Sequence, residues 1–263
     1  MSTYVVKMGG HALDDLSPTS PTLAALAADI SEVRASGAAV VLVHGGGPQI
    51  AQLLREVNGD SSFVDGLRVT SPATMAYVDM ALASVNRALV AALRTHGLSA
   101  VGVSGVDGGV ISATALGEPW GQVASNVEVA PQLLTDLVAG GWVPVVSPVA
   151  LASDGQRLNC NADTAAGAIA GALSADGLVL LSDIDQLRAD PDDASSGLDR
   201  VHLGQVEEMI ASGAARDGMR PKLTAAADAL TAGAARVWLA NGTRAHVLRD
   251  LLANELLTTE VLP

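Results

Sequence analysis

Short β-branched runs alternate with alanine-rich stretches of helical period along most of this chain. Tyr4-Val5-Val6 opens as a strand, and 22–36 follows as a helix stopped by Gly37, a suitable C-terminal cap. Ala38 to Val43 is an unbroken apolar run, the pattern of a strand buried on both faces of a parallel sheet. Helices are expected over 48–57, 72–95 and 131–139, with strands over 99–103 and 142–146. A Gly- and Asp-rich hairpin region surrounds Ala152–Gly155, before a helix over 163–173 and a buried strand over 177–181. Helices over 204–212, 221–231 and 245–254 then bracket a strand over 235–239. This alternation implies an α/β fold, a mostly parallel sheet with helices on both faces. Neither a fixed-period repeat nor a long linker divides the chain. The best division follows the helix at 163–173, giving lobes of 1–172 and 173–263.

Composition narrows the class. The chain has 263 residues, 49% of them hydrophobic and 16% charged, which excludes intrinsic disorder. It contains no run of about 18 apolar residues, so no membrane span is expected. The N-terminus runs from Met1 straight into Val5-Val6-Lys7, without the pattern of a signal peptide. Cys160, the lone cysteine, fits a reducing compartment, and the expected location is the cytoplasm. A net charge of −13 leaves no basic face for nucleic acid, and three Trp, two Tyr and one Phe offer few stacking platforms. Of 15 cationic side chains only Lys7 and Lys222 are lysine. A compact ammonium reaching phosphate oxygens is one task arginine performs poorly.

Candidate chemistry sits in four segments. Lys7-Met8-Gly9-Gly10 follows the first strand, and His44-Gly45-Gly46-Gly47-Pro48-Gln49-Ile50 links a buried strand to a helix. Each could be an ordinary strand-to-helix turn; a triple glycine also allows successive amides to cradle an anion. Neither segment is a P-loop or a GxGxxG fingerprint. Leu158-Asn159-Cys160-Asn161-Ala162-Asp163 packs three polar side chains at a helix start, where Asp163 could cap the helix or orient lysine ammonium groups. Arg216-Asp217-Gly218-Met219-Arg220-Pro221-Lys222 puts Lys222 in a first helical turn, against the dipole, a poor position for stability. The five histidines lack metal-ligand spacing, His44 reads as a turn residue, and Cys160 has no partner base.

Taken in order, KMGG, HGGGPQI, GLRVT, NCNAD, SDID and DGMRPK resemble the amino acid kinase family, most closely its branch acting on N-acetylglutamate. The resemblance spans Lys7 to Gly242. It implies a three-layer αβα sandwich, with an N-terminal lobe for the amino-acid substrate and dimerisation and a C-terminal lobe for ATP. It implies transfer of the ATP γ-phosphoryl group to a side-chain carboxylate, with Mg²⁺ carried by the nucleotide and no protein metal site. By the same resemblance, Lys7 and Lys222 flank the transferred group and Asp163 orients both. Gly45 and Gly46 offer amides to the reacting oxygens, Arg68 pairs with the substrate α-carboxylate, and Asn159 holds its acylated amino end. Gly9, Gly10, Asp183, Leu187, Asp217, Gly218 and Met219 fall on the nucleotide positions, with Gln186 where relatives carry glycine. Alternatives of the same mechanism act on a carrier-borne glutamate or aminoadipate or on another N-acylated acidic amino acid; a non-catalytic sensor of amino acid or nucleotide is a different class. A homodimer insensitive to arginine is expected, because Lys7 lies so near the first residue.

Overall fold

In the computed structural model, which describes residues 2–190, 192–193, 195–213, 215 and 219–263, the alternation closes into three layers. Among the described residues eight strands form the central sheet: β1 (Thr3–Met8), β2 (Ala39–His44), β3 (Ala100–Ser104), β4 (Val143–Ser147), β5 (Gly177–Ser182), β6 (Arg200–His202), β7 (Val237–Asn241) and β8 (Thr259–Leu262). Their order is β6-β8-β7-β5-β1-β2-β4-β3, and the six strands from β7 to β3 are parallel. β8 runs antiparallel to β7 and parallel to β6. β1 is therefore central, and Lys7 at its C-terminal end lies between Val43 and Leu180. Open parallel sheets bind ligands at this end.

Period-2 alternation sends successive side chains to opposite faces. Val5, Val41, Val43, Leu178 and Leu180 pack on α4 (Gln132–Ala139), α5 (Ala162–Ala172), α6 (Leu203–Ala211) and α7 (Met219–Thr231). Val6, Met8, Val40, Leu42, Val179 and Leu181 pack on α1 (Pro21–Ala35), α3 (Pro72–Thr95) and α8 (Val247–Leu252). A smaller cluster seats Ile50 and Leu54 of α2 (Gly47–Glu56) on Met75, Val78 and Leu82 of α3. Ser71 starts α3 by accepting the Thr74 amide at 3.1 Å, with Pro72 at the first helical position.

Several elements differ from the sequence reading. The strands Ile111–Gly117 and Gly121–Val129 pair with Val149–Leu151 and Arg157–Asn159 in a closed four-stranded ring beside the sheet. β8 was not visible in the pattern, because Thr259–Leu262 alternates too briefly to register. α7 begins at Met219, so Lys222 is its fourth residue and not its second. α3 has 24 residues and a window of mean hydropathy 1.3, enough to cross a membrane by length and composition alone. In the fold it presents Met75, Val78, Leu82, Val85 and Leu89 to α2 and the sheet.

Candidate active site

Lys7 shares the odd-numbered face of β1 with Val5, so its side chain leaves the sheet toward α5. Asn161 caps α5, its Oδ1 accepting the amides of Asp163 at 2.8 Å and Thr164 at 3.2 Å. That cap places the Asp163 carboxylate in the first turn, where the helix dipole favours an anion. Lys7 Nζ lies 2.8 Å from Asp163 Oδ1, and Lys222 Nζ lies 3.0 Å from Oδ2. The Lys222 ammonium is an aligned hydrogen-bond donor, whereas Oδ1 has its ion pair without such alignment.

All three groups are withdrawn from water: the side chains of Lys7, Asp163 and Lys222 are 7%, 8% and 15% exposed. Burial pushes the Lys7 ammonium below its ordinary pKa and Lys222 adds to that, while Asp163 opposes both. For Asp163 burial acts upward, but the two ammonium groups outweigh it and hold the carboxyl below the usual range. One carboxylate facing two ammoniums leaves a buried net positive charge, which an anion would neutralise.

The glycine segments close the site from two sides. A Cβ on Gly9 would stand 2.5 Å from Lys7 Nζ, so the ammonium occupies the space a side chain would need. Gly10 has φ +58, and a Cβ there would meet Asp183 Oδ1 at 2.8 Å. Gly46 and Gly47 supply leading amides of α2, which have no partner within the helix. Gly45 departs from its expected role: its amide is engaged by the Met8 carbonyl at 2.7 Å.

Lys7, Asp163 and the triple glycine line a cavity of about 430 Å³ together with Arg68 and Asn159. Arg68 is 7% exposed; it donates to Ser61 Oγ and to the Gly47 carbonyl, and its guanidinium lies 4.6 Å from the Phe63 ring centre. Asn159 Nδ2 donates to Thr70 Oγ1 at 3.1 Å. Cys160 also lines the cavity, and burial pushes its thiol up to about 12, so it is no nucleophile at neutral pH.

The nucleotide positions are less uniform. Leu187 is 3% exposed within the core and its amide donates to Thr259 Oγ1 at 2.8 Å, so its side chain and N–H are already engaged by the fold. Asp217 and Gly218 lie outside the described residues, and Met219 opens α7. Gln186 braces this region: its Nε2 donates to Asp199 Oδ1 at 2.7 Å and to the Thr258 carbonyl at 3.2 Å.

The sequence pattern names Asn161 and Gly47 within their motifs without a separate role, and it does not mark Phe63 or the partners of His44. An Asn two residues before an Asp at a helix start is a legible capping signal. The stacking of Phe63 on Arg68 and the contacts of His44 are long-range and carry no local mark. His44, read as a turn residue, is the fully buried last residue of β2, and burial lowers its pKa to about 4.

A mostly parallel α/β sandwich with a cationic, glycine-walled cavity at its strand C-termini is the architecture of a phosphoryl-transfer enzyme. Residues 2–241 match the model of the amino acid kinase family, and the chain belongs to that family. It is 40% identical to the acetylglutamate kinase of Symbiobacterium thermophilum, covering 99% of this chain and 91% of that protein. It is also 40% identical to the acetylglutamate kinase of Geobacillus thermodenitrificans, covering 92% and 90%. Among solved structures, the smu.665 protein of Streptococcus mutans superposes with a TM-score of 0.81 at 28% identity, covering 99% of this chain and 98% of that one. The N-acetylglutamate synthase of Neisseria gonorrhoeae shares the fold at TM-score 0.81 and 22% identity, covering this whole chain and 59% of that one.

Proposed function

We propose that this chain transfers the γ-phosphoryl group of ATP to the side-chain carboxylate of N-acetyl-L-glutamate, giving an acyl phosphate and ADP in the route to arginine. The observation that carries the reading is the buried Lys7–Asp163–Lys222 constellation, in which one carboxylate holds two ammonium groups. A carboxylate oxygen attacks the γ-phosphorus as the bond to the bridging β–γ oxygen breaks, and that electron pair leaves with ADP. The attacking group is already ionised at neutral pH, so no general base is needed. Catalysis then reduces to in-line positioning and neutralisation of charge on the phosphoryl oxygens.

Lys7 and Lys222 supply that neutralisation as compact point charges, and Asp163 holds both in place. The amides of Gly46 and Gly47 bind reacting oxygens, Arg68 pairs bidentately with the substrate α-carboxylate, and Asn159 takes the acylated amino end. Gly9, Gly10, Asp183 and the start of α7 face the nucleotide. Mg²⁺ would arrive with the ATP phosphates and would screen their charge. The division into an amino-acid lobe at 1–172 and an ATP lobe at 173–263 belongs to the same reading. So does a homodimer, for which the free edge of the sheet at β3 offers unpaired backbone groups.

An ADP-release assay with hydroxylamine trapping of the acyl phosphate tests this reading. N-acetylglutamate is expected to turn over, with free glutamate and N-acetylaminoadipate much slower. Absence of turnover on all three would overturn the reading in favour of a carrier-borne substrate or a sensor.

A further inference from the structure

His44 ends β2 on the opposite face of the sheet from Lys7, because it continues the row of Val40 and Leu42 toward α3. Its Nδ1 lies 2.7 Å from the Gly45 carbonyl, and its Nε2 lies 3.1 Å from Asn86 Nδ2 of α3. A carbonyl only accepts, so Nδ1 bears the proton and the neutral ring accepts at Nε2. Asn86 spends its second amide hydrogen on the Val145 carbonyl, 2.8 Å away. Its Oδ1 fits only because residue 102 is glycine; a Cβ there would stand 2.0 Å from it. Gly45 is thus held on both sides, by Met8 on its amide and by His44 on its carbonyl.

A trans peptide sets its carbonyl and the following amide in opposite directions. With the Gly45 carbonyl turned to His44 on the α3 side, the Gly46 N–H is turned to the α5 side, where Lys7 and Asp163 stand. We infer that His44, held in its Nδ1–H tautomer by Asn86, is a positioning residue that aims the Gly46 amide at the transferred phosphoryl group. The inference rests on the phosphoryl-transfer reading above. It assigns His44 no contact with substrate; the imidazole acts through one peptide plane.

Two substitutions separate this role from mere core packing. The amide nitrogen of Asn can stand where Nδ1 stands, whereas Gln reaches Asn86 and leaves the Gly45 carbonyl without its donor. With N-acetylglutamate and MgATP, His44→Gln is expected to lower kcat about 10- to 100-fold, short of or equal to the loss of an oxyanion donor. KM for both substrates should change less than about threefold, since the contact matters mainly in the transition state. His44→Asn should recover at least about tenfold of that kcat, although both variants lose packing and lower Tm alike. Wild-type kcat in His44→Gln, or equal kcat losses in the two variants, would overturn the assignment. Imidazole ¹⁵N spectra of the wild-type protein give an answer that needs neither folded variants nor turnover. An Nδ1-protonated His44 signal that persists unchanged at pH 5.5 supports the inference, and an Nε2-protonated ring refutes it. Failure of wild-type turnover with this tautomer intact would instead refute the assigned reaction.

Discussion

Gly9→Ala is the cleanest perturbation of this site, because it moves the Lys7 ammonium without touching the fold. Gly9 is outside the left-handed region, so alanine meets no backbone strain. The added Cβ would stand 2.5 Å from Lys7 Nζ and 3.1 Å from its Cε, with no backbone atom near enough to clash. Restoring ordinary contact of about 3.5 Å moves the ammonium about 1 Å. The ammonium would then leave the position in which it now stands 2.8 Å from Asp163 Oδ1. Transition-state donors work at about 2.7–3.1 Å, and a displacement of about 1 Å can lower rate about 10²-fold. That corresponds to about 2.7 kcal/mol of lost transition-state stabilisation. Stability should hold or rise by up to about 1 kcal/mol, since alanine restricts the unfolded chain. The assay is ADP release at saturating ATP and N-acetylglutamate, with thermal unfolding on the same preparation. A kcat within threefold of wild type at unchanged Tm would refute the crowding argument and the catalytic role of Lys7 with it.

Lys7→Arg and Lys222→Arg keep the charge but replace a point contact by a broad plane, and kcat should fall about 10²–10³-fold with smaller changes in KM. The loss should be larger at Lys7, which Gly9 confines, than at the more exposed Lys222; steady-state kinetics with wild-type rates in both variants would reject the assignment. Arg68→Lys removes the bidentate fork and should raise KM for N-acetylglutamate about tenfold while KM for ATP stays within about twofold; an equal rise in both would place Arg68 elsewhere. His44 stays neutral in the fold down to about pH 4, whereas in the unfolded chain it takes a proton near its ordinary 6.5. The unfolded state therefore binds more protons between these values, so this contribution, about 3 kcal/mol at most, is full above pH 6.5 and lost as pH falls toward 4. Denaturant unfolding at pH 7, 5.5 and 4.5 should show that decline in wild type and a shallower one in His44→Gln; parallel curves would contradict it.

Much of the scaffold is written in local pattern. Buried parallel strands carry continuous apolar runs, so β2 and β5 are visible as Ala39–His44 and Gly177–Ser182 within a residue or two. The bounds of α3 are legible because Ser71 and Pro72 mark its start and Gly97 follows its end. The lysine census singles out Lys7 and Lys222 before any coordinate does, since composition needs no geometry. Their meeting on one carboxylate is decided only by the tertiary structure. β1 lies at the centre of the sheet, and α5 and α7 pack on the same face, which brings three distant segments to one point. The short strands of the four-stranded ring and β8 likewise depend on partners elsewhere, because a few alternating residues do not specify pairing. The glycine segment shows the division most clearly. Triple glycine after a buried strand is the sequence pattern of a turn open to an anion, but which of its backbone groups are already paired is set by Met8, His44 and Asn86. Those contacts join three elements through hydrogen bonds of fixed direction, and direction, unlike hydrophobic period, exists only once the chain has folded.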